Sequence, residues 1–234
     1  MNRIAQRIDQ FMRQPLDDKK LPANLRDIPG LTVFDTYKFG CRYVLGADVA
    51  SGKATGDYSA AVLLEVVPPS MWAKLFGRRK QRLRQVASLH GHWEPDVYGE
   101  YLVELARAYD AELAIERNNQ GLTTLIAARN TGYRKIVCDS RGELGWLTDK
   151  VSKPLIVNQL AQLLRDDQLE LWLGAILDEL QVFSVLKDGT FGALDKFHDD
   201  FVIALAIAVQ IALTPPVDEG GDEEEHEPEG ISIF

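Results

Sequence analysis

Three apolar stretches of this chain begin or end in carboxylate. Asp48 lies inside the run Tyr43-Val44-Leu45-Gly46-Ala47-Asp48-Val49-Ala50, Glu116 closes Leu113-Ala114-Ile115, and the pair Asp199 and Asp200 opens an apolar run from Phe201 to Leu213. Strands favour branched and aromatic residues, and a lone buried charge is costly, so each acid requires neutralisation. Mutually repelling acids from separate elements can share one pocket when divalent cations neutralise them. Oxygen donors select hard ions such as Mg²⁺ or Mn²⁺ over zinc. Two such ions about 3.5 to 4 Å apart activate a water and stabilise the leaving 3′ oxygen of a phosphodiester, so no serine or histidine nucleophile is needed. The pattern points to a metal-dependent phosphodiesterase, and more specifically to a DNA nuclease.

The elements that must position these groups are an α/β set. Residues 39–50 read as a first strand and 58–67 as a second, joined by Ser51-Gly52-Lys53-Ala54-Thr55-Gly56-Asp57, a turn too long for a two-residue hairpin and able to hold Asp57 near Asp48. A third strand spans 85–92. A helix over 94–109 follows, started by Pro95, then a strand over 111–116, the turn Asn118-Asn119-Gln120-Gly121, a helix over 122–130 and a fifth strand over 133–138. That alternation signals parallel βαβ crossovers added to an antiparallel hairpin. Helices are expected over 152–165 and 173–183, a β-hairpin around Asp188-Gly189 over 183–194, and a last helix from Asp199/Asp200 until Thr214-Pro215-Pro216 stops it. Placing the acid pair in a first helical turn favours its ionised form. In parallel-type sheets functional groups collect where strands end and helices begin, so Asp48, Glu116 and the 199/200 pair meet if the strands over 39–50 and 111–116 are neighbours.

Residues 1–38 are expected to form a helix and linker, with Ile4, Ile8, Phe11 and Met12 on one face and Pro15 as its stop. The main domain then spans 39–214, and 215–234 is an acidic tail of disordered composition. The net charge of −9 is concentrated in that tail, where residues 217–230 hold eight acids and no lysine or arginine; the rest is close to neutral, so charge neither supports nor excludes a DNA partner. One basic patch stands out after Pro68-Pro69, where Lys74, Arg78, Arg79, Lys80, Arg82 and Arg84 are unopposed by any acid; it is either a solvated loop or a phosphate-contacting arm. Cys41 and Cys138 lie in or beside apolar runs and read as reduced core thiols, with no zinc-ligand spacing. The longest apolar run falls short of the roughly 20 residues of a bilayer span, so a soluble, cytoplasmic protein is expected.

The segments G-A-D-V-A, D-Y-S-A, A-I-E-R-N-N-Q-G and F-H-D-D-F-V-I-A-L together resemble the C-terminal nuclease domain of tailed-phage large terminase subunits, members of the ribonuclease H-like superfamily, over about residues 43–213. The resemblance implies a central mixed sheet of five or more strands, its first three antiparallel, flanked by helices. It implies a two-metal endonuclease using Mg²⁺ or Mn²⁺ that cuts concatemeric double-stranded DNA during genome packaging. By motif, Asp48 resembles the first-strand aspartate that bridges both metals, Glu116 the fourth-strand acid and Asp200 the metal-binding aspartate, with Asp199 a second or water-mediated ligand. Asp57 looks like an accessory acid. The hairpin resembles one that approaches DNA or gates the cleft, which makes Lys187 and Lys196 DNA contacts beside Lys74, Arg78, Arg79 and Lys80. The family's partners are a packaging ATPase domain, a small terminase subunit and a portal. This sequence departs from the pattern in having no GxxxxGK[ST] phosphate loop, and its basic segment after Pro69 has no counterpart.

His198 reads as a capping or hydrogen-bonding neighbour of the two aspartates. His90 and His92 read as partly exposed strand-end residues rather than metal ligands, and Trp93, Trp146 and Trp172 as core or interface residues rather than base platforms. Asn118 and Asn119 could orient Glu116 or contact DNA, although turn chemistry alone accounts for them. Two rival functions remain open at this point: a junction resolvase or transposase of the same superfamily, distinguished by branched substrates or strand transfer, and a non-catalytic docking module of the packaging motor.

Overall fold

The run that carries Asp48 is apolar on both faces because it is paired on both edges and covered on both sides. In the computed structural model, which describes residues 13–53, 56–68, 81–139, 141–186, 188–194 and 197–216, β2 (Arg42–Asp48) lies antiparallel to β3 (Ser59–Val67), with Arg42 opposite Val66 and Asp48 opposite Ala60. Its other edge runs parallel to β5 (Glu112–Ile115), with Ala47 opposite Ile115. β3 pairs antiparallel with β4 (Arg82–Gly91), whose outer edge is shared by β1 (Leu31–Val33), antiparallel, and β6 (Leu169–Glu170), parallel. The result is one six-stranded mixed sheet, with β2, β3 and β4 antiparallel as expected.

Helices cover both faces. α1 (Ala23–Arg26), α2 (Pro95–Tyr109) and α3 (Gly121–Asn130) lie on one side, where Leu25, Leu102, Leu105 and Leu125 meet Tyr43, Leu45 and Ala47. On the other side α4 (Ser152–Arg165), α5 (Gly174–Val182) and α6 (Asp200–Leu213) bring Ile156, Leu160, Ile176 and Leu205 onto Val44, Ala60 and Ala114. Successive strand residues point to opposite faces, so Val44, Gly46 and Asp48 look toward α6, as do Ala114 and Glu116. The hairpin of β7 (Phe183–Val185) and β8 (Phe191–Ala193) follows α5 directly.

Twelve of the 14 residues of α6 are buried, which explains an apolar pattern on every side of the helix. It runs antiparallel to β2 and packs closely against it. A Cβ on Gly46 would overlap the Ala204 carbonyl oxygen and lie 2.5 Å from the Ala208 nitrogen, so a glycine faces two alanines where the backbones meet. At the far end Arg42 holds both Glu112 oxygens at 2.6 and 2.9 Å and donates to the carbonyls of Ile211, Ala212 and Thr214. That places a cation at the negative end of the helix dipole. Among the described residues no helix is long and apolar enough to cross a membrane.

The structure departs from the sequence-based expectations in four places. The expected strand over 133–138 is reduced to isolated bridges from Leu113 to Ile136 and from Cys138 to Leu144, although Lys135 and Val137 still bond to the backbone of Leu113. The sheet extends ahead of residue 39 through β1, and Leu21, Leu25 and Ile28 join the core, so part of the supposed linker belongs to the domain. β1 and β6, of three and two residues, were not expected at all. Cys138 is exposed and Cys41 only half-buried, so Cys138 is no core thiol; both are free. The expected helix over 1–14 lies almost entirely outside the described residues, and the acidic tail from 217 onward lies wholly outside them.

Candidate metal centre

The parallel pairing of β2 with β5 sets the first two acids side by side. The Glu116 N–H donates to the Ala47 carbonyl at 2.8 Å, so Asp48 and Glu116 leave the sheet at adjacent strand ends and on the same face. α6 brings the third. With Arg42 at residues 211–214 and Gly46 at 204–208, the antiparallel helix places its N-terminus, and Asp200, over the Asp48 end of β2. Asp200 is 5% exposed and Glu116 9%.

The electrostatics reflect this crowding. Burial pushes Asp48 well above the ordinary carboxylate range, a hydrogen bond and like charge from Glu116 push it further, and Asp200 adds to the rise; the Val49 N–H, 2.9 Å from Oδ1, opposes it. Burial likewise pushes Asp200 up to about 6, opposed by the Tyr58 N–H that donates to its Oδ2 at 3.3 Å, with Asp57 raising it, His198 lowering it and Asp199 raising it. Without a cation, these groups resist simultaneous ionisation.

Local structure fixes each side chain. Gly121 opens α3 so close to Glu116 that a Cβ there would overlap the Glu116 carbonyl, which lets the turn fold back and aim Asn118. Asn118 Nδ2 then donates to Glu116 Oε1 at 3.1 Å and to the Thr148 carbonyl at 2.6 Å. On the other flank, rings stack in series: His92 on Tyr58 at 4.0 Å, Tyr58 on His90 at 4.3 Å, and His90 on Phe201 at 4.6 Å. The ladder ties the end of β4 to the Asp57-Tyr58 segment and to the first turn of α6. His90 and His92 are therefore packing residues of this ladder.

Asp57, His198 and Asp200 form a second grouping, their donor atoms all within 4.8 Å of one another. His198 Nδ1 lies 3.6 Å from Asp57 and 3.7 Å from Asp200. Asp57, expected near Asp48, thus meets Asp200 from the solvent side. Asp199 has a different setting: its carboxylate is 3.7 Å from Lys153 Nζ on α4, and a Cβ on Gly192 of the hairpin would lie 3.7 Å from it. Lys74, Arg78, Arg79, Lys80, Lys187 and Lys196 fall outside the described residues.

Two participants had no signal in the sequence. Lys153 is one. The other is Glu179, on α5, whose Oε2 accepts the N–H groups of Phe201 at 2.9 Å and Val202 at 3.2 Å; burial, opposed by those two bonds and reinforced by Asp200 and Asp199, pushes it up to about 7. Both lie within ordinary amphipathic helix patterns.

No protein-family model matches the sequence. Solved structures share the fold. The large terminase nuclease of thermophilic phage G20c with bound magnesium superposes with a TM-score of 0.62 at 18% identity, covering 87% of this chain and 94% of that one; the same nuclease with bound cobalt gives the same values. The large terminase nuclease domain of Thermus phage P74-26 superposes with a TM-score of 0.55 at 19% identity, covering 86% of this chain and 90% of that one.

Proposed function

We propose that the chain is a metal-dependent DNA endonuclease of the large-terminase type, cleaving concatemeric viral DNA during genome packaging. The observation that carries the reading is the convergence of Asp48, Glu116 and Asp200, from two strands and a helix far apart in sequence, in one pocket of a fold shared with phage terminase nucleases. The donor set fits hard divalent cations: three carboxylates brought close together, and no cysteine among them. Asp48, flanked by Glu116 and Asp200, would hold the ions together with those two carboxylates. Asp57 and His198 stand at the rim, and Asp199 acts through water. When bound there, a pair of Mg²⁺ or Mn²⁺ ions supplies Lewis-acid activation of a water and charge neutralisation at the leaving 3′ oxygen.

The protein's own groups do the positioning. Asn118 holds Glu116 in one rotamer, the Tyr58 N–H fixes Asp200, and the ring ladder keeps Tyr58 in place. Purified protein with Mn²⁺ is expected to nick and then linearise plasmid, EDTA to stop it, and Asp48→Asn to lower the rate by about 10³-fold or more with the fold intact. Persistent cleavage by Asp48→Asn would refute the assignment. Selective cutting of branched DNA in the same assay would move the chain to the junction resolvases.

Double-stranded DNA is held in this reading by the basic segment after Pro69 together with Lys187 and Lys196, and the packaging ATPase, small subunit and portal are the assembly partners. Neutralising Arg78, Arg79 and Lys80 together is expected to weaken DNA binding and to flatten its salt dependence, by a slope of roughly 0.9 per lost phosphate contact. An unchanged slope would make that segment solvated surface.

A further inference from the structure

Helix α6 carries Asp200 in its first turn, and the residue at its N-cap is Asp199. Aspartate at that position ordinarily accepts the N–H of the second or third helical residue. Here it does not: the Asp199 side chain makes no capping bond and lies 3.7 Å from Lys153. The two orphan donors, Phe201 and Val202, are taken by Glu179 of α5, at 2.9 and 3.2 Å. With Arg42 at the opposite end, α6 is held at both termini by side chains from other elements, an anion at the positive end of its dipole and a cation at the negative end.

We propose that Glu179 is a positioning residue of the metal centre, a cap supplied from another helix that fixes the first turn of α6 and so holds Asp200 toward Asp48 and Glu116. This rests on the nuclease reading and adds a residue to it. In this role Glu179 acts through the two backbone N–H groups next to Asp200 rather than as a ligand itself. Because α5 runs directly into β7, and the Leu194 N–H donates to the Val182 carbonyl at 3.2 Å, the same helix that holds Asp200 also roots the hairpin.

Capping and charge are separable by substitution. Glu179→Gln keeps an acceptor oxygen and removes the charge, whereas Glu179→Ala removes the acceptor. Mn²⁺ binding to the full chain without DNA, followed by the loss of the free-ion electron paramagnetic resonance signal, reads the centre independently of turnover. Glu179→Ala is expected to raise the Mn²⁺ dissociation constant about 10- to 100-fold, the range for residues that orient metal ligands, with the KM for DNA unchanged. Glu179→Gln is expected to stay within about threefold of wild type by the same logic.

Equal Mn²⁺ affinity in wild type and Glu179→Ala overturns the proposal and leaves the nuclease reading standing, as does a Glu179→Gln loss as large as that of alanine. If thermal melting shows that the alanine variant does not fold, Glu179→Asp, one methylene too short to reach both donors, is measured instead; wild-type affinity there overturns the proposal. Failure of the wild type itself to bind Mn²⁺ would remove the nuclease reading and this proposal together.

Discussion

Asp200→Asn is expected to cleave no DNA and yet, in metal-free buffer at about pH 8, to melt roughly 5 °C above the wild type. The two effects share one cause. In the folded wild type the Asp200 carboxyl takes up its proton near about 6, against an ordinary value of 3.8, chiefly because it is buried. The folded state therefore binds protons more tightly than the unfolded chain. Its contribution to stability is fully present below the unfolded value and is lost as pH rises through the folded one, a change on the order of 2 kcal/mol. Asparagine keeps an acceptor for the Tyr58 N–H without the charge, so the variant escapes that loss. Melting curves between about pH 4 and 8 check the sign: the metal-free wild type falls as pH rises, and the variant falls less. Added Mn²⁺ raises the wild-type midpoint by mass action and leaves the variant nearly unmoved. A variant less stable than wild type at the upper pH without metal would show that burial of an ionised Asp200 does not cost the fold stability.

Gly46→Val is expected to destabilise the protein by more than about 3 kcal/mol and to yield little soluble protein. The first atom of any side chain at this position meets the Ala204 carbonyl and lies 2.5 and 2.9 Å from the Ala208 nitrogen and Cα. These are backbone atoms of a helix buried on all sides, so there is no rotamer through which the strain can escape. Denaturant unfolding of Gly46→Ala measures the effect in a variant with the smallest added side chain. A loss under about 1 kcal/mol there would mean that α6 can lift off β2 cheaply. The same displacement moves Asp200 away from Asp48, so cleavage should decline with stability in this series.

Asp48 was legible in the sequence because a carboxylate inside an apolar strand run breaks the pattern of its surroundings. Glu116 was legible because it closes an apolar run, whereas its adjacency to Asp48 was only assumed from the sequence and came from the parallel pairing of β2 with β5. The long strands and α2 to α6 fell within a few residues of their expected bounds, α2 and α4 through helical spacing and α6 as an unbroken apolar run. β1 and β6 are too short for any period to register and exist because the outer edge of β4 has backbone groups to pair. The bridges around Ile136 replace a full strand because only a few of the backbone groups in that segment reach β5. Glu179 and Lys153 were invisible because each looks like a solvent-side residue until the tertiary packing shows what lies opposite it. Asp199 was read as a partner of Asp200, and the pairing with Lys153 emerged only from the way α4 approaches α6.

The order in which the acids occur along the chain has a consequence for biosynthesis. Asp48 and Glu116 leave the ribosome well ahead of Asp200, and the sheet face that receives α6 stays bare until residues 200–213 have emerged. The three-acid cluster therefore assembles only after residues 200–213 have emerged and docked. A product that stops before residue 200 keeps two of the three acids and lacks the helix that carries the third.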